Sequence, residues 1–224
     1  MTPRHLVASA IIPGTAQELR LFQRGDDFMI VLDRNELMSS RMSGSEAALA
    51  EMTIARLGNR GAPRLLIGGY GMGFTLRAAL RLLPPDSTVV VAELVPEVIA
   101  WARGPMAALT SGCLDDPRVS VALCDVAACI TEAGARYDAI LLDVDNGPNA
   151  LTHPENEHLY SVRGLAVAKA ALSPGGVLAI WSAAPDPAFA RRLVHSGFKL
   201  EELTVRARSN GKGPRHTIWF ARAE

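Results

Sequence analysis

The chain has 224 residues, 49% of them hydrophobic and 21% charged, and its 23 Lys plus Arg are balanced by 23 Asp plus Glu. That length sustains one well-packed domain with room for a small appendage. Zero net charge gives no electrostatic ground for nucleic acid or a membrane surface as the main partner, and no apolar run approaches the ~20 residues needed to cross a bilayer.

The first residues, Met1 to His5, precede only the short apolar run Leu6 to Ile12, which does not read as a signal peptide. Residues 18–38 alternate as strands do, with Arg24-Gly-Asp-Asp as the hairpin turn between Glu18-Leu-Arg-Leu-Phe and Phe28-Met-Ile-Val-Leu. We therefore expect an N-terminal β-hairpin appendage over residues 1–42 and a nucleoside-binding catalytic domain over 43–224. The second part opens on a helix with Ser43 at its cap and Glu46 near its first turn.

From residue 64 strands and helices alternate. Strands are predicted near 64–68, 88–93, 118–123, 138–143, 177–182, 198–205 and 216–222, and helices near 73–83, 95–109, 126–134, 156–172 and 186–195. Such alternation implies an α/β fold with a parallel sheet covered on both faces. Only Arg206 to Arg215 separates the last two strands, too short for a parallel crossover, so they must form an antiparallel hairpin. The expected fold is a Rossmann-like, seven-stranded, methyltransferase-type sheet.

The densest functional signal is the first strand–turn–helix unit. Leu65 to Ile67 runs into Gly69-x-Gly71-x-Gly73, with Tyr70 inside the turn, and the next strand ends on Glu93. Bare backbone and a helix N-terminus at such a turn suit a nucleoside, and a carboxylate one strand over suits the two donors of a ribose diol. The dinucleotide pattern G-x-G-x-x-G would place its last glycine on Phe74, which argues against a nicotinamide enzyme. The glycines could also serve only the turn. Glu93 could simply end an apolar strand, although its place 20 residues beyond Gly73 favours ribose.

Ligands of open α/β sheets sit beyond the carboxyl ends of the strands, where Glu93 with Leu94, Asp125 with Val126, and Asp143 all fall. Asp125 either caps the following helix or accepts from an adenine amino group while the Val126 backbone reads the ring. Asp143 and Asp145 at the mouth of such a site suggest an amine or a metal, because a carboxylate can orient an amine and take its proton. The five histidines, His5, His153, His158, His195 and His216, lack metal-pair spacing and default to surface or loop positions. Cys113, Cys124 and Cys129 lack C-x-x-C spacing and read as reduced thiols of a cytoplasmic protein, not as a metal site. Arg206, Arg208, Lys212 and Arg215 form a basic turn, either solvated or overhanging the ligand edge to meet an anionic part of the second substrate.

Residues 18–182 resemble the spermidine synthase-like (polyamine aminopropyltransferase) family. The resemblance lies in the hairpin, Leu66-Ile-Gly-Gly-Tyr-Gly-Met-Gly, Val91-Ala-Glu-Leu, Asp115-Asp-Pro-Arg-Val, Asp125, Tyr137-Asp-Ala-Ile-Leu-Leu-Asp, and Leu159-Tyr-Ser ahead of Leu172-Ser-Pro-Gly-Gly-Val. It implies aminopropyl transfer from decarboxylated S-adenosylmethionine to an amine acceptor, without a metal. Glu93 would hold the ribose, Asp125 the adenine, and Asp143 would activate the amine. Against the family pattern, Met72 stands for an Asp of the glycine loop and Asn146 for a second Asp, with Asp145 one place earlier. Gly44-Ser45-Glu46 replaces Tyr-His-Glu or Tyr-Gln-Glu. Methyl transfer from S-adenosylmethionine and a non-catalytic nucleoside-binding protein are the alternatives. Edge strands of the hairpin favour a homodimer.

Overall fold

The computed structural model describes residues 3–131, 137–144 and 158–223. Among the described residues the strands form two sheets. The N-terminal one has four antiparallel strands in chain order: β1 (His5–Ile11), β2 (Glu18–Arg24), β3 (Asp27–Leu32) and β4 (Asn35–Ser39). The expected hairpin is its centre, β2 and β3, with Arg24 paired to Asp27 across the predicted turn. The outer strands β1 and β4 extend it on both sides.

Helix α1 (Gly44–Leu57) joins this sheet to the larger one. Ser43 precedes it as expected, but its side chain does not cap the helix, and Glu46 turns inward rather than closing a capping box. The alternating part follows as β5 (Arg64–Gly68), α2 (Phe74–Leu82), β6 (Thr88–Ala92), α3 (Pro96–Arg103), α4 (Ala107–Thr110), β7 (Val119–Ala122), α5 (Val126–Thr131) and β8 (Tyr137–Leu142). It ends with α6 (Val162–Ala171), β9 (Leu172–Ser182), α7 (Pro187–His195), β10 (Phe198–Arg206) and β11 (Arg215–Ala223).

The second sheet has seven strands in the order β10-β11-β9-β8-β5-β6-β7. β11 pairs antiparallel with both neighbours, whereas β9, β8, β5, β6 and β7 are mutually parallel. The parallel strands read as nearly continuous apolar runs because helices bury both faces. Leu65, Leu66, Val89, Ile140, Leu141, Leu178 and Ile180 are fully buried, and burying each such side chain stabilises the fold by roughly 1.5–3 kcal/mol.

Two local departures have simple causes. The single helix expected over 95–109 divides at Gly104-Pro105, because proline lacks the N–H that would continue it. β9 begins at Leu172 rather than 177, since Leu172 already pairs with Tyr137 before the register shifts to Ala139 with Val177. Helix starts elsewhere are capped as their residues dictate. Asp186 accepts from the N–H groups of Ala188 and Phe189 with Pro187 in the first position, and Ser161 accepts from Gly164.

Candidate active site

β5 sits at the point where the parallel strands diverge, with β6 on one side and β8 on the other. The chain leaves their carboxyl ends in opposite directions there, which opens a crevice. Backbone bonds stitch its floor: Gly69 N donates to Ala92 O, Glu93 N to Ala122 O, and Asp143 N to Gly68 O. A single cavity at this edge is lined by Gly69, Gly71, Glu93, Leu94, Asp125, Val126 and Asp143. Thus most of the residues picked from sequence converge on one space.

The glycine turn fits this floor only as glycine at two places. Gly69 has φ of +84°, and a Cβ there would stand 2.5 Å from the carbonyl oxygen of Asp143. Gly71 has φ of +54°, and a Cβ would meet Sδ and Cε of Met38 at 2.8 Å. The Met38 thioether, carried by β4, therefore occupies the place where a side chain at 71 would project. Met72 is fully buried in the core and does not line the cavity. Position 71, and not the Met72 singled out from sequence, faces the ligand space.

Tyr70 and Gly73, also expected at the nucleoside, do not line the cavity. The Tyr70 ring packs in the core with its hydroxyl 3.4 Å from Cys113 Sγ, and burial pushes the phenol pKa up. Its contribution to the site is a backbone N–H, which donates to Glu93 Oε2 at 2.9 Å. Val95 N donates to Glu93 Oε1, also at 2.9 Å. Glu93 is only 7% exposed. Burial pushes its carboxyl up, opposed by backbone N–H groups of Val95, Tyr70, Gly71 and Leu94. The acid is thereby held in one orientation at the rim of the cavity.

Asp125 combines its two sequence readings in part. Oδ1 accepts from Ala127 N at 2.8 Å, an N-terminal cap on α5, and the residue also borders the cavity. Val126 Cγ2 would lie 2.8 Å from a Cβ on Gly68, so the start of α5 rests directly on the bare end of β5.

Asp143 and Glu46 line the same cavity as Glu93 and Asp125. Thr75 of α2 donates to Asp143 Oδ2 at 2.6 Å, while Glu46 reaches in from α1 and receives Ser45 Oγ at 2.7 Å. Burial raises the pKa of Asp143, with the Thr75 bond opposing it. Burial also raises that of Glu46, and the charge of Asp143 adds to it. Ionising one of the two therefore disfavours ionising the other. Asp145, expected as a second acid at this mouth, lies outside the described residues. Among the described residues no three His, Cys, Asp or Glu side chains gather as a metal-ligand cluster.

Ile12, Leu19, Ile30, Leu37 and Met38 of the N-terminal sheet, with Trp181 of β9, complete an apolar wall. The buried indole N–H of Trp181 has no hydrogen-bond partner among the described residues, a donor that a ligand entering the cavity can satisfy. The Gly-Ser-Glu segment, the Trp181 wall and the half-buried His216 belong to this neighbourhood, and sequence reasoning gave His216 no role. The basic turn after β10 lies at the same sheet edge. Its backbone packs against Gly44, however, and none of its residues lines the cavity.

A seven-stranded sheet in this order, with an antiparallel β11 and a cavity at the carboxyl ends, defines a class I methyltransferase-type fold. The description "Spermine/spermidine synthase domain" matches residues 52–196. The chain belongs to that family. It is 32% identical over 172 residues to a polyamine aminopropyltransferase of Mycobacterium tuberculosis, an alignment covering 75% of this chain and 31% of the relative. Against the polyamine aminopropyltransferase of Nitrosomonas europaea the identity is 35% over 140 residues, covering 59% and 40%. The chain thus spans about a third of the length of the mycobacterial relative. In fold it is similar to the spermidine synthase of Thermotoga maritima, with a TM-score of 0.75 at 20% identity over 98% of this chain and 73% of that one. A spermidine synthase solved with the transition-state analogue AdoDATO gives 0.74 at 20% identity, covering 98% and 72%.

Proposed function

We propose that this protein transfers an aminopropyl group from decarboxylated S-adenosylmethionine, its co-substrate, to a small-molecule amine. The observation that carries this reading is the single cavity in which the glycine turn, Glu93 and Asp125 face the Asp143–Glu46 pair. In this reading Glu93 accepts from the ribose hydroxyls. Asp125 and the backbone at Val126 hold the adenine, Leu94 packs beside it, and Gly69 and Gly71 let the backbone lie close.

The sulfonium is already an activated leaving group, so the protein chiefly aligns the attack and excludes water. The amine nitrogen forms a bond to the aminopropyl carbon while the carbon–sulfur bond breaks. That bonding pair returns to sulfur and leaves neutral methylthioadenosine. An amine arriving as an ammonium must first give up a proton, and a carboxylate held above its ordinary pKa is matched to receiving it. Asp143 is the catalytic residue in this scheme, and Asp145, two positions on in the sequence, is the second acid assigned to the same chemistry.

Incubation with decarboxylated S-adenosylmethionine and an amine panel, read by mass spectrometry, tests the proposal. We expect an aminopropylated amine and methylthioadenosine in equal amounts, and no product in any arm would refute it. A cytoplasmic homodimer belongs to the same reading. It is supported by cysteines that form no disulfide among the described residues and by the exposed Leu6 and Ile11 on edge strand β1.

A further inference from the structure

Ser45 is fully buried at the start of α1, with its Oγ between two partners. Glu46 Oε2 lies 2.7 Å away on one side, and His216 Nδ1 lies 2.9 Å away on the other, 171 positions distant in sequence. One hydroxyl hydrogen cannot serve both. Either Ser45 donates to an ionised Glu46 and accepts from Nδ1–H, or it donates to Nδ1 and accepts from a protonated Glu46. Moving from the second arrangement to the first carries one proton from Glu46 to His216.

The fold builds this contact deliberately. Gly44 N donates to Ala207 O at 2.8 Å, and a Cβ on Gly44 would stand 2.5 Å from the backbone carbon of Arg208. Glycine at 44 is what allows the β10–β11 hairpin to lie on the helix start and bring His216 to Ser45. The His216 ring is fixed edge-on to Trp181, with centroids 4.7 Å apart at 75°, and Trp181 also lines the cavity. His216 is half-buried. From α1, Glu46 is the charged group that reaches it, through Ser45. From β9 it meets the uncharged Trp181. Arg215 on its own strand and Arg206 across from it alternate to the opposite face.

Aminopropyl transfer converts a primary ammonium and a sulfonium into a secondary ammonium, a thioether and one free proton. That proton arises in a cavity whose acids are already buried, and it must leave before the next turnover. Resting on the aminopropyl-transfer reading, we propose that Glu46, Ser45 and His216 form the path by which it leaves. Glu46 receives it from the amine side of the cavity. The carboxyl proton passes to Ser45 Oγ as the Ser45 hydrogen passes to Nδ1, His216 then loses its Nε2 proton to water, and proton exchange with water returns the ring from the Nδ1–H to the Nε2–H tautomer before the next cycle. Burial raises Glu46 and lowers His216, so a proton that has reached Glu46 is held more readily there than on the imidazole, which carries it only in transit. Ser45 and His216 touch no reacting atom and are positioning residues.

The test compares His216→Ala and Ser45→Ala with the wild-type chain in steady-state turnover, with and without added imidazole. Each variant should lower kcat by about tenfold or more, in the range of one acid–base group, with KM for both substrates nearly unchanged. Imidazole should restore His216→Ala but not Ser45→Ala. A raised KM or lowered Tm with no imidazole response would reduce the contact to packing and overturn the path. Turnover insensitive to both changes overturns the path alone and leaves aminopropyl transfer standing, whereas a wild-type chain inert toward every amine overturns both. A readout without turnover is the NMR titration of the His216 ring: its midpoint should move in Glu46→Gln and in Ser45→Ala, and an unmoved midpoint in both would contradict the proton linkage.

Discussion

Glu46 and Asp143 enter the cavity from two different elements, and each is pushed up by burial from ordinary values of 4.5 and 3.8, to about 7 and about 6. Groups raised in this way favour the folded state while protonated. Their contribution is complete below about pH 4 and is lost as pH rises through about 6 to 7. Replacing Glu46 with Gln removes the cost of ionising it in place. We therefore expect Glu46→Gln to gain about 1–3 kcal/mol relative to wild type at pH 8 and little at pH 4, measured as the difference in urea midpoints at the two pH values. An equal difference at both would show that the pair is not coupled to folding. Activity should move the other way, since proton acceptance needs an ionised partner: kcat should rise from pH 5.5 to 7.5. Asp143→Asn should lose about 10²–10⁴ in kcat with nucleoside binding retained, checked by single-turnover kinetics and equilibrium binding.

At the scale of elements, the parallel strands were legible because each is a short apolar run bounded by turn residues, and Arg64–Gly68 falls where the pattern puts it. β1 was not, since Leu6-Val-Ala-Ser-Ala-Ile does not alternate and becomes a strand through its pairing with β2. Position along the strands located Glu93, Asp125 and Asp143, because strand ends follow from strand assignment. The contact between Ser45 and His216 has no local signature; it depends on a hairpin folding back on a helix start. Its one trace in the sequence is Gly44, readable only once its neighbour is known. Gly44→Ala should accordingly displace the hairpin from α1 and cost about 1–3 kcal/mol by overpacking. A denaturation midpoint unchanged from wild type would place the hairpin elsewhere.

For the molecule as a whole, the N-terminal sheet supplies both an apolar wall of the cavity and, among the described residues, an unpaired edge. β1 exposes Leu6 and Ile11 at 53% and 56%, and an apolar edge strand invites pairing with a second copy. If that edge forms the homodimer, Leu6→Lys with Ile11→Lys should yield a monomer by light scattering while turnover persists; an unchanged mass would exclude β1 as the contact. Under the proposed function the cavity has to discriminate between two donors. Near the expected sulfonium tail stand the carboxyls of Glu46 and Asp143, and at Gly71 only backbone and the Met38 thioether. The proposed function therefore predicts that this site disfavours the α-carboxylate of S-adenosylmethionine and takes the tail that lacks it. Isothermal titration of the wild-type chain with both nucleosides measures this directly. We expect the decarboxylated form to bind at least about tenfold more tightly, a difference of about 1.4 kcal/mol; tighter binding of S-adenosylmethionine would contradict aminopropyl transfer.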